Sequence, residues 1–291
     1  MSQTPRCPLC GSENNELTFS TKSYDLLVCN TCELLFINPY PSDIKKRHTI
    51  VAESSFEQTK ILNASKHYSA EVGYYKKYFP LIEHECKDAR SVLDVGCGTG
   101  HLLERLSKYS NLFRVGIELD SARAKLAMKY SGCKIYQIPI EKFTSEVKFD
   151  VITMINVLSH IPSLDQLFSS ITSLLSEKGK LIIKIGEFPK DVKKGNVFDW
   201  GIPAHMHFVG LNTLDFICKK YGFTILKHQR ILLSEDIYTR ERFKSPGGSF
   251  LRNMIKLAFA YTPFALSLLK KSHDLRHRQK LYSSFIVLAL R

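Results

Sequence analysis

The sequence predicts an α/β protein, a doubly wound parallel sheet preceded by a small four-cysteine ribbon, and three observations carry that expectation. The stretch Ser91-Val-Leu-Asp-Val-Gly-Cys-Gly-Thr-Gly100 runs an apolar segment into three glycines at alternate positions, and Leu102-Leu-Glu-Arg-Leu106 then takes up helical periodicity. That is a strand, a tight turn and a helix, the layout of a nucleotide-binding βα unit. Further along, apolar runs alternate with helical patterns, as a parallel sheet with crossover helices requires. Near the start, Cys7-Pro-Leu-Cys10 and Cys29-Asn-Thr-Cys32 form two C-x2-C pairs with 18 residues between them.

Taken in order, the cysteines come first. Each pair can present two thiolates to one ion, and two such knuckles supply the tetrahedral sulfur set that zinc prefers. Gly11 follows the first knuckle and Tyr24-Asp-Leu-Leu-Val-Cys29 reads as a strand entering the second. Residues 1–40 therefore predict a zinc ribbon with Cys7, Cys10, Cys29 and Cys32 as ligands of a structural zinc ion. Free cysteines or a redox C-x-x-C are the competing readings. Cys86, Cys97, Cys133 and Cys218 stand in core-like surroundings and read as small hydrophobes. The turn-rich Asn38-Pro-Tyr-Pro-Ser42 closes the ribbon, and residues 41–89 predict a helical linker or lid with an aromatic group at His67, Tyr68, Tyr74 and Tyr75.

The main domain, residues 90–291, opens on the strand Val92–Val95. A second strand begins at Phe113 and carries Glu118 and Asp120 at its end; a third is Cys133–Ile138, a fourth Phe149–Ile155, a fifth Lys180–Ile185, a sixth Phe223–Lys227 and a last Ser284–Leu290. Helical patterns at Leu164–Leu175 and Thr213–Tyr221, the latter stopped by Gly222, separate them. A basic, apolar excursion at about 245–282 interrupts the domain before its final strand.

Asp94 lies inside the first strand, two residues before the first glycine. A carboxylate there repels a dinucleotide pyrophosphate but suits a cationic ligand with an α-amino group. The spacing is G-x-G-x-G, not the G-x-G-x-x-G of dinucleotide sites. Glu118, 24 residues after Asp94, stands where acids accept ribose hydroxyls in nucleotide-binding α/β folds, although it or Asp120 can instead cap the helix near Ser121.

With those residues the chain resembles the class I S-adenosylmethionine (SAM) methyltransferases. The resemblance implies a Rossmann-like sheet of seven strands with the last one reversed. It implies SAM as cofactor, bound by Asp94, Gly96, Cys97, Gly98, Gly100, Glu118, Leu119 and Asn156, with Leu119 against adenine. Many relatives carry an acid at the position of Pro139, which leaves Glu141 and backbone groups to meet the adenine amino group.

Methyl transfer from a sulfonium is a direct displacement, so the protein has to position the acceptor and remove its proton. Two segments offer histidines. Asn156-Val-Leu-Ser-His160-Ile-Pro162 resembles the family's V-L-E-H-I segment, with Ser159 in place of Glu. Pro203-Ala-His205-Met-His207-Phe208 resembles the E-H-x-x-F-F-S segment of zinc-containing methyltransferases of nucleotide-linked deoxysugars, with Ala204 in place of Glu. His205 and His160 are the catalytic candidates; His207 points the other way if the segment is extended. Tyr68, Tyr74 and Tyr75 can lid the pocket or belong to the core, and Trp200, in the loop before His205, can line the acceptor site or anchor its loop.

Charge narrows the partners. The formal net charge is +13, but residues 1–50 hold five basic and five acidic side chains whereas residues 251–291 hold eight and one. A neutral ribbon disfavours nucleic acid. The resemblance therefore points to a small-molecule acceptor, a sugar or saccharide-pathway metabolite, with phosphate on the substrate as a corollary of the basic tail. The alternatives are an rRNA or tRNA base methyltransferase and a non-catalytic SAM-binding protein. No apolar leader stands in residues 1–30 and no uncharged apolar run reaches the roughly 18 residues that cross a bilayer. A cytoplasmic protein is expected, with peripheral contact between residues 251–280 and an anionic membrane, or packing of that segment on the domain, as the two readings of its apolar and basic pattern.

Overall fold

A computed structural model describes residues 5–40, 78–187, 202–237, 254, 258–259, 261–277 and 282–290. The expected aromatic group of residues 41–77, Trp200 and much of the excursion lie outside the described residues. The N-terminal strands β1 (Asn15–Ser20), β2 (Asp25–Cys29) and β3 (Leu35–Asn38) form an antiparallel meander. Helix α1 (Phe79–Cys86) then leads to β4 (Ser91–Val95), α2 (His101–Arg105), β5 (Phe113–Ile117), α3 (Ser121–Ser131), β6 (Lys134–Tyr136) and β7 (Phe149–Ile155). Helix α4 (Leu164–Leu174) passes without a loop into β8 (Leu175–Gly186). After it come β9 (His207–Phe208), α5 (Leu211–Tyr221), β10 (Phe223–Leu232), α6 (Leu233–Ile237), α7 (Pro263–His277) and β11 (Tyr282–Leu290).

Seven of these strands make the main sheet, in the order β10-β11-β8-β7-β4-β5-β6. β4 pairs in parallel with β5 and β7, β5 with β6, and β7 with β8, while β11 runs antiparallel to both β8 and β10. The reversed last strand and the seven-stranded sheet expected from the sequence are both present. Alternation along each strand divides the core. Leu93, Ile152, Met154, Ile183 and Ile286 face Leu167, Phe168, Leu214 and Ile217 of α4 and α5. Val92, Val151, Ile182, Phe285 and Val287 face Phe79, Ile82 and Leu102 of α1 and α2. Both faces are covered, which is why the strands read as near-continuous apolar runs.

The ribbon is stitched into this domain. Its small sheet has the order β1-β2-β3-β9, so its fourth strand comes from the segment between β8 and α5. The Ile37 N–H donates to the Met206 carbonyl at 2.9 Å, and Leu26, Leu35 and Ile37 share a buried cluster with Met206. On the far side, the Lys220 ammonium donates to the Leu9 carbonyl at 3.0 Å and the Asn212 amide to Glu33 at 2.9 Å.

Candidate active site

The order of parallel strands reverses between β4 and β7, and ligands of open α/β sheets bind in the crevice outside the carboxyl ends at such a point. Asp94 is buried there, and Thr153 of β7 donates its hydroxyl to the carboxylate at 2.6 Å. Gly96, at φ 68°, turns the chain, and its N–H and that of Cys97 donate to the Ile117 carbonyl at 2.7 and 3.0 Å. A Cβ on Gly96 would lie 2.5 Å from Val157 Cγ2, and one on Gly100, at φ 81°, would lie 2.7 Å from the Ala127 Cα. Neither turn position tolerates a side chain, so the loop can press against the exit of β7 and against α3 only as glycine.

Glu118 is buried at the end of β5, where its carboxylate accepts the Gly98 N–H at 2.9 Å and the Asp120 N–H at 2.9 Å. Burial raises its pKa, and those two hydrogen bonds oppose the rise. Each carboxylate oxygen keeps a further lone pair, so Glu118 can brace the glycine turn and still accept two ligand hydroxyls. The competing role falls to Asp120, which caps α3 by accepting the Arg123 N–H at 2.7 Å. Leu119 is half-buried between them. Cys97 places its sulfur among Leu103, Ala124, Ala127 and Ile135, within 2.8 Å of where a Gly116 Cβ would stand, so its thiol is packing beneath the turn. Glu141 is half-buried in the short turn Ile140–Lys142.

The exit of β7 is built around Asn156, a non-glycine at φ 57°. Its N–H donates to the Lys184 carbonyl at 3.0 Å, and its side-chain oxygen accepts the Lys184 ammonium at 2.8 Å. Lys184 is buried in β8, with its ammonium 5.4 Å from the centre of the Tyr78 ring. The turn Leu158–His160 follows, and the segment carrying the other histidines docks on it: the Met206 N–H donates to the Ser159 carbonyl at 2.9 Å, and His160 Nδ1–H donates to the Ala204 carbonyl at 2.8 Å. The His160 and His205 rings lie 4.4 Å apart, and His205 Nδ1 is 2.7 Å from the Ser159 hydroxyl. Burial, aided by the neighbouring His160, lowers the His205 pKa to about 4. His207 is fully buried, donating from Nε2 to the Leu158 carbonyl at 2.7 Å and accepting the Tyr40 hydroxyl at Nδ1 at 2.9 Å, and burial lowers its pKa to about 3. Both its nitrogens are engaged in holding the ribbon to this turn.

At the other end of the ribbon, the sulfurs of Cys7, Cys10, Cys29 and Cys32 all lie within 4.8 Å of one another, with Cys7–Cys32 and Cys10–Cys29 at 3.5 Å. Four sulfurs at about 2.3 Å from a tetrahedral ion stand about 3.8 Å apart, so the set has the size to hold one. The two knuckles share their backbone geometry: Gly11 (φ 74°) and Glu33 (φ 55°) each follow the second cysteine, and their N–H groups donate to the carbonyls of Cys7 and Cys29 at 2.9 and 2.8 Å.

The family described as a methyltransferase domain matches residues 66–228, more than half of the chain. The chain belongs to that methyltransferase family. A ubiquinone biosynthesis O-methyltransferase of Pasteurella multocida (strain Pm70) is 35% identical over 106 residues, 31% of this chain and 43% of the relative. The protein of the same name from Histophilus somni (strain 2336) is 36% identical over 103 residues, 32% and 43% of the two chains. The chain thus spans less than half the length of these curated relatives. The solved Haemonchus contortus phosphoethanolamine N-methyltransferase 2, in complex with phosphomonomethylethanolamine and S-adenosylhomocysteine, aligns at TM-score 0.57 and 14% identity over 88% of this chain and 62% of that one, a likeness of fold. The domain is of the class I, SAM-dependent kind, with its seven-stranded sheet.

Within this methyltransferase domain the structure brings together His160, His205 and Ser159 at the exit of β7, close in the fold to Asn156. Sequence reasoning registered Ser159 only as a missing Glu, and it is the side chain bonded to His205. Lys184 was also missed; the signal available was a lone cation inside Leu181-Ile-Ile-Lys-Ile185, a run otherwise apolar. His207→Ala is expected to leave the Leu158 carbonyl buried without its donor and to release Tyr40 from the turn, costing about 2–4 kcal/mol, read as a shift in the urea midpoint. The folded ring protonates only near about 3, below the roughly 6.5 of an unfolded histidine. Its contribution is therefore complete above about 6.5 and lost as pH falls toward about 3, so wild-type stability declines over that window more steeply than that of His207→Ala.

Proposed function

We propose that this protein is a SAM-dependent O-methyltransferase acting on a small-molecule hydroxyl, with His205 as general base. The observation that carries the reading is the 2.7 Å hydrogen bond between Ser159 and His205 on the acceptor side of the crevice. When Nδ1–H donates to the Ser159 oxygen, Nε2 keeps its lone pair for the acceptor proton, and the serine fixes ring and tautomer in the manner of the acid in a carboxylate–histidine pair. The two residues that replace glutamates in related segments, Ser159 and Ala204, thus leave the histidine with a neutral partner. Asp94, the turn from Gly96 to Gly100, Glu118, Leu119 and Asn156 would hold SAM, with Asp94 toward its amino group and Glu118 toward its ribose. When bound, SAM supplies an electrophilic methyl group.

A base held near a pKa of about 4 is weak. It suits an acidic hydroxyl, such as a phenol near 10, better than the aliphatic hydroxyl of a sugar. The relatives named as O-methyltransferases support a hydroxyl acceptor and lend nothing to the expected saccharide. The four sulfurs fit a structural zinc ion, which would fix the ribbon against β9 with no part in the chemistry.

Three measurements check this. In calorimetry, Glu118→Ala is expected to weaken SAM by roughly tenfold to a hundredfold, since hydrogen bonds to a charged group contribute about 1.5–3 kcal/mol; no SAM binding by folded wild type would sink the proposal. Purified protein is expected to contain one zinc per chain, and Cys29→Ser to lose it along with the ribbon's thermal protection while SAM affinity stays; freely reactive thiols at all four positions would count against the metal. With a phenolic acceptor, His205→Ala is expected to lower kcat by roughly 10²–10⁴. The acid limb of kcat/KM should have its midpoint near about 4, and Ser159→Asp should move that limb upward by stabilising the imidazolium. Full activity in His205→Ala would remove it from the mechanism.

A further inference from the structure

The described helices of the excursion between β10 and β11, α6 and α7, contribute no residue to the site described above, and the sheet sets where they stand. β10 and β8 both run antiparallel to β11, so β10 ends on the same carboxyl edge as β4, β7 and β8, and β11 begins there. α6 and α7 therefore stand off the edge onto which the cofactor crevice and the histidines open. One side of α7 is held to α6: the Lys270 ammonium meets Glu235 at 2.5 Å, the Ser234 hydroxyl donates to Asp274 at 3.1 Å, and Leu266 and His273 are buried.

On the other side, none of the described residues is held in this way at the stripe of Phe264, Leu268 and Leu275. Phe264, Leu268 and Leu275 are 72%, 50% and 77% exposed, and Tyr261, just ahead of the helix, is 71% exposed. Intervals of four and seven return to the same helix face, so Phe264, Leu268 and Leu275 form one stripe, diametrically away from Leu266 and His273. Exposed large apolar side chains clustered in this way mark an interaction surface. Lys271 is exposed beside the stripe, and the sequence of residues 251–280 carries seven basic side chains against a single acid, Asp274, which is turned toward Ser234.

We infer that α7 seats the protein on an anionic lipid surface. Phe264, Leu268 and Leu275 enter the boundary between headgroups and acyl chains, and Lys271 beside them meets the headgroup phosphates. Charge complementarity selects this occupant, because a stripe of aromatic and leucine side chains set among cations matches an interface that is apolar below and anionic above. The contact is peripheral: among the described residues no helix is long and apolar enough to cross a membrane. Seated in this way, the protein turns the carboxyl edge of its sheet toward the bilayer.

The test is sedimentation of the full chain with vesicles of phosphatidylcholine alone and of phosphatidylcholine with phosphatidylglycerol. Wild type is expected to pellet with the anionic vesicles only and to be released by salt. Phe264→Ser/Leu268→Ser is expected to bind at least about tenfold more weakly, and Lys271→Glu to bind more weakly while its salt dependence flattens. Circular dichroism melts of both variants should match wild type, since the substituted side chains are exposed. Wild type that stays in the supernatant at low salt, equal pelleting on neutral vesicles, or undiminished pelleting of the double variant would each overturn the inference. So would light scattering without lipid that shows a dimer broken by the double variant, which would assign the stripe to a second copy of the chain. SAM calorimetry on the same samples reads the methyltransferase proposal separately, because α7 lies outside the cradle.

Discussion

The histidine-bearing turn at the exit of β7 depends on one neutral imidazole with no access to solvent. His207 donates to the carbonyl of Leu158 and accepts from the hydroxyl of Tyr40, so it fastens the turn after β7 to the end of the ribbon. The strand it belongs to pairs with β3, and the residue before it pairs with Ser159. His205 is thus suspended between two anchored neighbours, which sets its ring beside His160 and against the Ser159 hydroxyl. Burial, which makes these hydrogen bonds firm, also penalises a charge on His205 and on His207.

The crevice at the carboxyl ends of β4 and β5 is assembled on a different principle. Asp94, the glycine turn and Glu118 come from adjacent strands of a single βαβ unit and are set in register by the sheet, with Asp94 opposite Gly116 and Thr153. Gly98 meets Glu118 across 20 positions and Asp94 meets Thr153 across 59, whereas Tyr40 reaches His207 across 167. The glycine turn and Glu118 are held within one βαβ unit, whereas the histidine turn depends on the ribbon.

That difference governs what the sequence discloses. The βαβ unit is legible because turn, strand and acid are all consequences of near neighbours, and Val92–Val95, Phe149–Ile155 and Ser284–Leu290 fall inside strands of the structure. β8 begins five residues earlier than Lys180, at Leu175, because it pairs with β7 on both sides of Ser176-Glu-Lys-Gly179, at Phe149–Leu175 and at Val151–Lys180, with a register shift between them. β9 is two residues long and has no pattern of its own; its partner lies in the ribbon. Ser159 as the companion of His205 is illegible for the same reason, since the segments that bring them together are 46 positions apart.

The shared sheet has a further consequence for how this architecture can be taken apart. A chain cut after residue 40 would leave β9 as a bare edge, with the backbone that now meets β3 turned to water and Met206 and Phe208 stripped of Leu35 and Ile37. Unpaired edges bearing apolar side chains recruit other strands, and the nearest supply is another molecule of the same kind. The ribbon therefore also acts as a guard on solubility. Any rearrangement of this chain, by recombination or by engineering, that exchanges the N-terminal module must bring a third strand that fits β9.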